Sequence, residues 1–172
     1  MRFIFSAVAV ISAMGVAGCS GMNEDEPTVK DVSKVKRQSN DLSRDLLGII
    51  NLRSDLDPPG YAVGLCGDRD SEKFYRINNF WSIAGPSAAD MRAAMDRLVA
   101  KLPESGWEIA ENGRENTQAK SRNLKANNEE SKFSVYIVLR EPSSHSDRTR
   151  PLLSVSLVSA CYQAPEGQKT GY

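Results

Sequence analysis

The chain has 172 residues, of which 40% are hydrophobic and 26% are charged, and these values are typical of one globular domain with a short tail. Lysine plus arginine and aspartate plus glutamate each number 22, so the formal net charge is zero. Because no basic excess exists to release counterions from a phosphate backbone or to attract anionic lipid head groups, the composition argues against nucleic acid as a partner and against polybasic membrane binding.

The first residues have the layout of an export signal. Arg2 precedes an apolar run, residues 3–14, which is interrupted only by Ser6 and Ser12. One positive charge before roughly 12 apolar residues is typical of a signal peptide, and the run is shorter than the roughly 20 residues of a membrane-spanning helix. We therefore expect residues 1–18 to be removed.

A four-residue motif ends this segment: Val16, Ala17, Gly18 and Cys19. It resembles the lipobox of bacterial lipoproteins, in which leucine is commonest where this chain has Val16. The resemblance implies that Cys19 is the first residue of the mature chain and carries diacylglycerol and a fatty acyl group; we expect no other cofactor and no metal. The alternative is an ordinary secretory signal with an incidental cysteine.

Two acyl chains would hold the protein firmly on the outer face of the cell membrane. Each buried CH₂ contributes about 0.8 kcal/mol to membrane binding, and a single myristoyl chain gives a membrane association constant of only about 10⁴ M⁻¹.

Residues 19–28 follow the lipidation site and are small and polar. They include the acidic run Glu24, Asp25 and Glu26 and predict a flexible tether rather than a metal site.

The sequence of the remaining chain predicts a single domain over residues 29–164. Apolar residues recur at helical spacing in residues 29–52, which predicts an amphipathic helix whose apolar stripe faces the core. We expect the run Asp57-Pro58-Pro59-Gly60 to break secondary structure. A strand is predicted at residues 73–83, and Ser87, with Asp90 three residues later, is predicted to cap a second helix that ends at Leu102.

The second half of the chain predicts strands. Residues 107–111 and 117–126 are predicted to form a hairpin around Asn112-Gly113, because both of these residues accept positive φ. Strict alternation predicts a strand at residues 133–140, and a last strand ends at Cys161. Residues 165–172 are polar and are expected to form a loose tail.

Helices followed by strands that are joined by short turns predict an α+β fold. We expect a two-layer sandwich in which an antiparallel sheet of about five strands is packed by one or two helices.

Two cysteines remain once Cys19 carries lipid. An even number of cysteines in an exported chain favours a disulfide between Cys66 and Cys161, which would close a loop of about 95 residues and stabilise the fold by roughly 4–5 kcal/mol. The alternative is a metal or redox pair, but the chain has no Cys-x-x-Cys spacing and no histidine near either residue.

Several short motifs together resemble a group of small lipoproteins of high-GC Gram-positive (actinobacterial) bacteria. These motifs are Leu65-Cys66-Gly67, Phe80-Trp81-Ser82, Gly85-Pro86-Ser87, Leu102-Pro103, Gly106-Trp107, Ser159-Ala160-Cys161-Tyr162 and Pro165-Glu166. They are turns, a cap, a tryptophan and two cysteines, so the resemblance implies export and the fold and carries no chemistry with it.

Candidate chemistry is sparse. His145 is the only histidine; it lies in a polar loop, residues 141–150, beside serines and Asp147, and neighbours on one loop do not hold the convergent geometry of a Ser-His-Asp triad. Asp68, Asp70 and Glu72 alternate as calcium ligands do, but the central glycine and distal glutamate of an EF-hand are missing. We interpret these carboxylates as a charged turn.

The aromatic residues Tyr75, Phe80, Trp81 and Trp107 are interpreted as core; two of them exposed side by side would instead indicate a recognition site. With no catalytic set, we expect a binding or accessory module, not an enzyme, that meets an envelope protein or a glycan. The alternatives are an envelope-associated hydrolase and a small solute-binding receptor component, although such receptors generally need two lobes.

Overall fold

The computed structural model describes residues 27–52, 55–144 and 148–172. The elements, in chain order, are α1 (Val32–Ile50), β1 (Asp55–Gly64), β2 (Phe74–Ala84), α2 (Ala88–Lys101), a 3₁₀ turn (Pro103–Ser105), β3 (Glu108–Arg114), β4 (Arg122–Asn128), β5 (Phe133–Arg140), β6 (Leu152–Ser159) and β7 (Tyr162–Gln163). The signal peptide, the lipobox with Cys19, and His145 lie outside the described residues.

Within the described residues the strands form one antiparallel sheet in the order β1-β2-β6-β5-β4-β3, with β7 paired to the start of β2. The α+β class, the antiparallel pairing and the two helices are confirmed. The expected number of strands, about five, is wrong, because the sheet has seven.

The run Asp57-Pro58-Pro59-Gly60 was expected to break secondary structure, and it lies inside β1 instead. This strand is at the edge of the sheet and pairs with β2 alone. Proline is tolerated at an edge because its missing N–H is not needed by a second neighbour, and the pairing register shifts between Asp57 and Gly60.

The hairpin turn expected at Asn112-Gly113 is also placed elsewhere. Asn112 and Gly113 lie within β3, where they pair with Leu124 and Asn123 of β4. The chain reverses over residues 115–121 instead, where the amide of Glu115 donates to the carbonyl oxygen of Ser121 at 2.8 Å. The chain therefore reverses direction through this longer loop, and Asn112-Gly113 does not form the tight turn that it favours.

Both helices pack on the same face of the sheet. α1 lies against β1, β2 and β6, and α2 lies against β5 and α1. The strands supply every second residue to this core, as their alternation requires. The main buried residues are Val35, Leu46, Ile50, Tyr75, Ile77, Trp81, Ile83, Met91, Met95, Leu98, Trp107, Ile137, Leu139, Leu153 and Leu157.

Each helix begins at a residue whose side chain accepts a backbone hydrogen bond. The Asp31 carboxylate accepts from the amide of Lys34 at 3.0 Å and opens α1. Ser87 accepts from the amide of Asp90 at 3.1 Å and opens α2, which confirms the predicted cap. No helix among the described residues is both long enough and apolar enough to cross a bilayer.

The start of the described chain meets the end of β7 at one end of the sheet. Val29 forms a parallel bridge with Gln163, reinforced by hydrogen bonds from the Lys30 amide to the Gln163 carbonyl (2.9 Å) and from the Gln163 amide to the Thr28 carbonyl (3.1 Å). The Cys66–Cys161 disulfide is formed at this same end, with the two Cα atoms 5.7 Å apart.

The C-terminal segment, residues 165–172, was expected to be loose, and the structure docks it on this end. Gln168 donates to the Asp31 carboxylate at 2.9 Å, and the buried Thr170 donates to the carbonyl oxygen of Ser71 at 2.7 Å. Polar composition alone predicted mobility, whereas here the polar groups find partners on the domain.

Candidate functional site

The face of the sheet opposite the helices carries the candidate site. Residues paired directly across neighbouring antiparallel strands share a face. On this face one row in register crosses five strands. The row consists of Phe80 on β2, Ser156 on β6, Tyr136 on β5, Lys125 on β4 and Glu111 on β3.

A shallow groove of about 320 Å³ crosses the middle of this open face. It is lined by Phe80, Trp81, Ser82, Tyr136, Val138, Arg140, Ser154, Val155 and Ser156. Trp81 and Val155 belong to the core on the other side of the sheet, so the chemistry of the groove comes from the other residues. They supply three serine hydroxyls, the ring of Phe80, the phenol of Tyr136, one valine and one guanidinium.

Phe80 and Tyr136 stand on either side of Ser156 in the same row. Neighbouring strands are about 4.8 Å apart, so the two aromatic Cα atoms are separated by roughly 10 Å. Phe80 is 54% exposed, and its partner on β1 is Gly60, which has no side chain to lie beside the ring. Phe80 was expected in the core together with Tyr75, Trp81 and Trp107; of these four residues, only the last three are buried.

Tyr136 is fixed more firmly than Phe80. Its hydroxyl donates to the carboxylate of Glu115 at 2.7 Å, and the Lys125 ammonium lies 5.3 Å from the centre of its ring. Partial burial and the hydrogen bond to Glu115 raise the pKa of the Tyr136 phenol. Tyr136 is therefore neutral at physiological pH, and its hydrogen bond to Glu115 holds the ring in place as one wall of the groove.

Arg140 closes the groove at the end away from the disulfide. It is partly buried, and its Nη1 donates to the hydroxyl of Ser154 at 3.0 Å. Among the described residues it makes no ion pair, since the neighbouring Glu141 pairs with Arg92 instead. An Arg side chain carries five donors, so most of the hydrogen-bonding capacity of this cation is uncommitted.

The cation of the row, Lys125, is neutralised. The Lys125 ammonium lies 2.8 Å from the Glu111 carboxylate, which also accepts a hydrogen bond of 2.5 Å from Asn123. Lys125 and then Asn123 lower the pKa of Glu111, and Glu111 raises the pKa of Lys125. This pair forms a charge-balanced flank beside Tyr136. Among the described residues that line the groove, Arg140 is the one that carries a charge.

The carboxylate turn at Asp70, also considered from the sequence, has a structural explanation. Asp70 accepts from the amide of Glu72 at 3.0 Å and pairs with Lys73 at 3.4 Å, as in a charged turn. Across residues 27–52, 55–144 and 148–172, no group of three or more His, Cys, Asp or Glu is arranged to hold a metal ion.

Another surface depression lies between the end of α1 and the 3₁₀ turn and includes Arg97 and Trp107. There the Arg97 guanidinium donates to the carbonyl oxygens of Ile49 and Ile50 and so completes the end of α1. The Arg97 guanidinium is therefore occupied by two backbone acceptors, whereas the Arg140 guanidinium makes one hydrogen bond, to Ser154.

Sequence reasoning did not single out Tyr136 and Arg140 as site residues. The signal was present in the alternation of residues 133–140, which places both side chains on the face opposite Val135 and Ile137. What was missing was any indication that α1 and α2 both pack on the other face and leave this one uncovered by either helix. Comparison of the chain with models of protein families, with curated proteins and with solved structures finds no match.

Proposed function

We propose that the protein is a binding module, anchored by lipid on Cys19 to the extracytoplasmic face of the cell membrane, which recognises a component of the envelope through the open-face groove. The observation that carries the proposal is the presence of two groups in one groove that neither α1 nor α2 covers: an exposed aromatic ring, Phe80, and the guanidinium of Arg140, which forms no ion pair with the described residues.

The lining of the groove suits binding better than acid–base catalysis. Of the described residues, those that line it include no carboxylate, histidine or cysteine. Its one titratable phenol, Tyr136, has a raised pKa and is therefore a poor proton acceptor near neutral pH. A few placed polar groups beside aromatic surface are typical of a recognition site.

The groove lies away from the point where the tether would join the domain. Val29 and Gln163 form the bridge at the start of the domain, and Gln163 pairs with Phe74 at the start of β2. Phe80 is six residues further along this strand, a distance of roughly 20 Å. A chain anchored at residues 19–28 would therefore present the groove on the half of the domain that is distant from its attachment.

The reach of such an anchor is limited. The nine residues 20–28 span at most about 32 Å when fully extended. The domain would stay close to the bilayer while its groove points to partners in the envelope. This arrangement fits a module that acts on neighbouring envelope components.

The binding proposal is tested by photo-crosslinking in intact cells. A photoreactive phenylalanine analogue is placed at Phe80 in one variant and at Tyr61 in another. Tyr61 is a matched control, because it is 46% exposed and lies on the neighbouring strand but faces the helix side, where the ammonium of Lys36 covers its ring. We expect adducts of defined mass from position 80 and not from position 61; equal yields, or no adduct from either position, contradict the proposal.

The anchor is tested separately with Cys19→Ala. We expect this variant to lose its lipid and to be washed from membranes, since a single unprocessed apolar segment replaces two acyl chains. Mass spectrometry of the wild-type N-terminus should show diacylglycerol on Cys19. Equal retention of both proteins on washed membranes contradicts the lipid anchor and leaves the groove proposal standing.

A further inference from the structure

We infer that the ligand of the groove is a glycan that carries carboxylate groups, with one sugar ring between Phe80 and Tyr136 and a carboxylate on Arg140. The inference rests on the proposed function and names the ligand class of the same groove. Three features of the groove support it, and each concerns a different part of the ligand.

The first feature is the slot between the two aromatic rings. A ring-shaped ligand in van der Waals contact with two walls needs about 7–8 Å, two contacts of 3.5–4.0 Å. The roughly 10 Å between the Cα atoms of Phe80 and Tyr136 leaves this space. A pyranose ring presents C–H groups on both faces, and such groups pack well on aromatic surfaces, while its hydroxyls project from the edge.

The second feature is the floor of the slot. Ser82, Ser154 and Ser156 each offer one hydroxyl that both donates and accepts. Val138, which pairs with Ser154, is 2% exposed and adds little apolar surface. A floor of hydroxyls matches a polyol, whereas a protein partner generally inserts aromatic or aliphatic anchors into apolar pockets.

The third feature is the placement of the cation. The Arg140 guanidinium is held at Ser154 by the hydrogen bond of 3.0 Å. Ser154 is two residues from Ser156, or about 7 Å along β6. A carboxylate on the sugar ring in the slot, or on the next ring, is therefore within reach of the guanidinium, whose planar fork matches a carboxylate in two parallel hydrogen bonds.

The edges of the sheet argue against a peptide strand as the ligand. Addition of a strand requires a regular exposed edge. The edge strand β1 contains Pro58 and Pro59 and a register shift, and the opposite edge, β3, contains the charged residues Glu108, Glu111 and Arg114 and a second shift. Prolines, charges and bulges are the features that block pairing at an edge.

The experiment measures binding by calorimetry with the full lipidated protein in detergent. The probes are a trimer of galacturonic acid, the methyl ester of the same trimer, and a trimer of galactose. We expect saturable binding of the acid and an affinity about tenfold lower for the ester and for the neutral trimer, the loss that accompanies removal of a charge-assisted pair.

Two variants and two controls locate the site. Arg140→Gln should lower the affinity for the acid to the affinity for the ester. Phe80→Ala should lower the affinity for each of the three probes about tenfold. Arg37→Gln is the matched control for the charge, because Arg37 makes the same kind of bond to a serine, 3.2 Å to Ser33, on α1. Tyr61→Ala is the control for the ring, and neither control should change the affinity.

Equal affinities for acid and ester, equal losses in Arg37→Gln and Arg140→Gln, or no saturable binding of any probe would falsify the inference. Thermal unfolding of each variant shows that it is folded, and Arg140→Lys, which keeps the charge but loses the fork, should bind the acid more weakly than wild type. If the crosslinker at Phe80 captures a protein and these sugars do not bind, the binding-module proposal stands and the glycan inference fails.

Discussion

The phenol of Tyr75 donates a hydrogen bond of 2.8 Å to the carbonyl oxygen of Lys30, 45 residues earlier in the chain. Lys30 in turn places its ammonium 4.6 Å from the centre of the Tyr162 ring, and the rings of Tyr75 and Tyr162 are 6.1 Å apart. These contacts join the start of the described chain to β2 and β7 beside the disulfide. A force applied to the N-terminal segment would therefore be transmitted to the sheet.

Tyr75→Phe should loosen this junction without unfolding the domain. The variant keeps the buried ring and removes one hydrogen bond, so we expect a loss of about 0.5–1.5 kcal/mol in the free energy of unfolding. Hydrogen exchange should accelerate at the amides of Lys30 and Gln163, which form the bridge. Unchanged exchange at both amides contradicts the role of the phenol in holding this segment.

The Cys66–Cys161 bridge should contribute a large share of the stability. It links residues 95 apart in sequence, and closing a loop of this length is worth roughly 4–5 kcal/mol in the chain-entropy model. We expect Cys66→Ser with Cys161→Ser to lower the free energy of urea-induced unfolding by about this amount. Wild type treated with a thiol reductant should behave like the double variant; a loss below about 1 kcal/mol contradicts the prediction.

Asp31 should make stability depend on pH in the acid range. Hydrogen bonds from Ser33, Lys34 and Gln168 lower the pKa of its carboxyl from 3.8 to about 2. Because the folded state holds the carboxylate more strongly than the unfolded state, the contribution is complete above pH 3.8 and is lost as pH falls toward 2. Asp31→Asn keeps a capping oxygen and removes the charge.

We therefore expect wild type to melt at a higher temperature than Asp31→Asn at pH 6 and the two melting curves to converge by about pH 2. Calorimetry across this range measures the difference. A difference that stays constant between pH 6 and pH 2 would show that the ionisation of Asp31 is not its source.

Two serines of α1 should respond oppositely to alanine. Ser39 and Ser43 are both fully buried, and the Ser39 hydroxyl accepts a hydrogen bond of 3.2 Å from the buried amide of Asn79. Among the described residues the Ser43 hydroxyl has no hydrogen-bond partner. Ser39→Ala removes the acceptor of this hydrogen bond from the buried Asn79 amide and should lower the free energy of unfolding by about 1–3 kcal/mol.

Ser43→Ala removes an unpaired buried hydroxyl and should stabilise the domain by up to about 1 kcal/mol. Urea titrations of the two variants give the comparison. Similar destabilisation in both variants contradicts the assignment of Ser39 as the partner of Asn79.

The sequence predicted the elements whose pattern is local and strong. Alternation over residues 133–140 became β5, and the pair Ser87 and Asp90 became the start of α2. The sequence-based prediction was wrong where the position of a segment in the sheet outweighed its local turn propensity. The two prolines of β1 are accommodated because that strand has one neighbour, and Asn112-Gly113 is used in a strand because the turn forms further along the chain.

The sequence by itself predicted the periodicity of most helices and strands and the pairing of Cys66 with Cys161, because apolar spacing and the number of cysteines carry that information. The export signal and the lipid on Cys19 remain predictions. Only the tertiary structure decided that both helices cover one face and that Phe80, Ser156 and Tyr136 meet on the other. These residues are far apart in the chain, and their alignment depends on the pairing register of β2, β6 and β5, which no local pattern specifies.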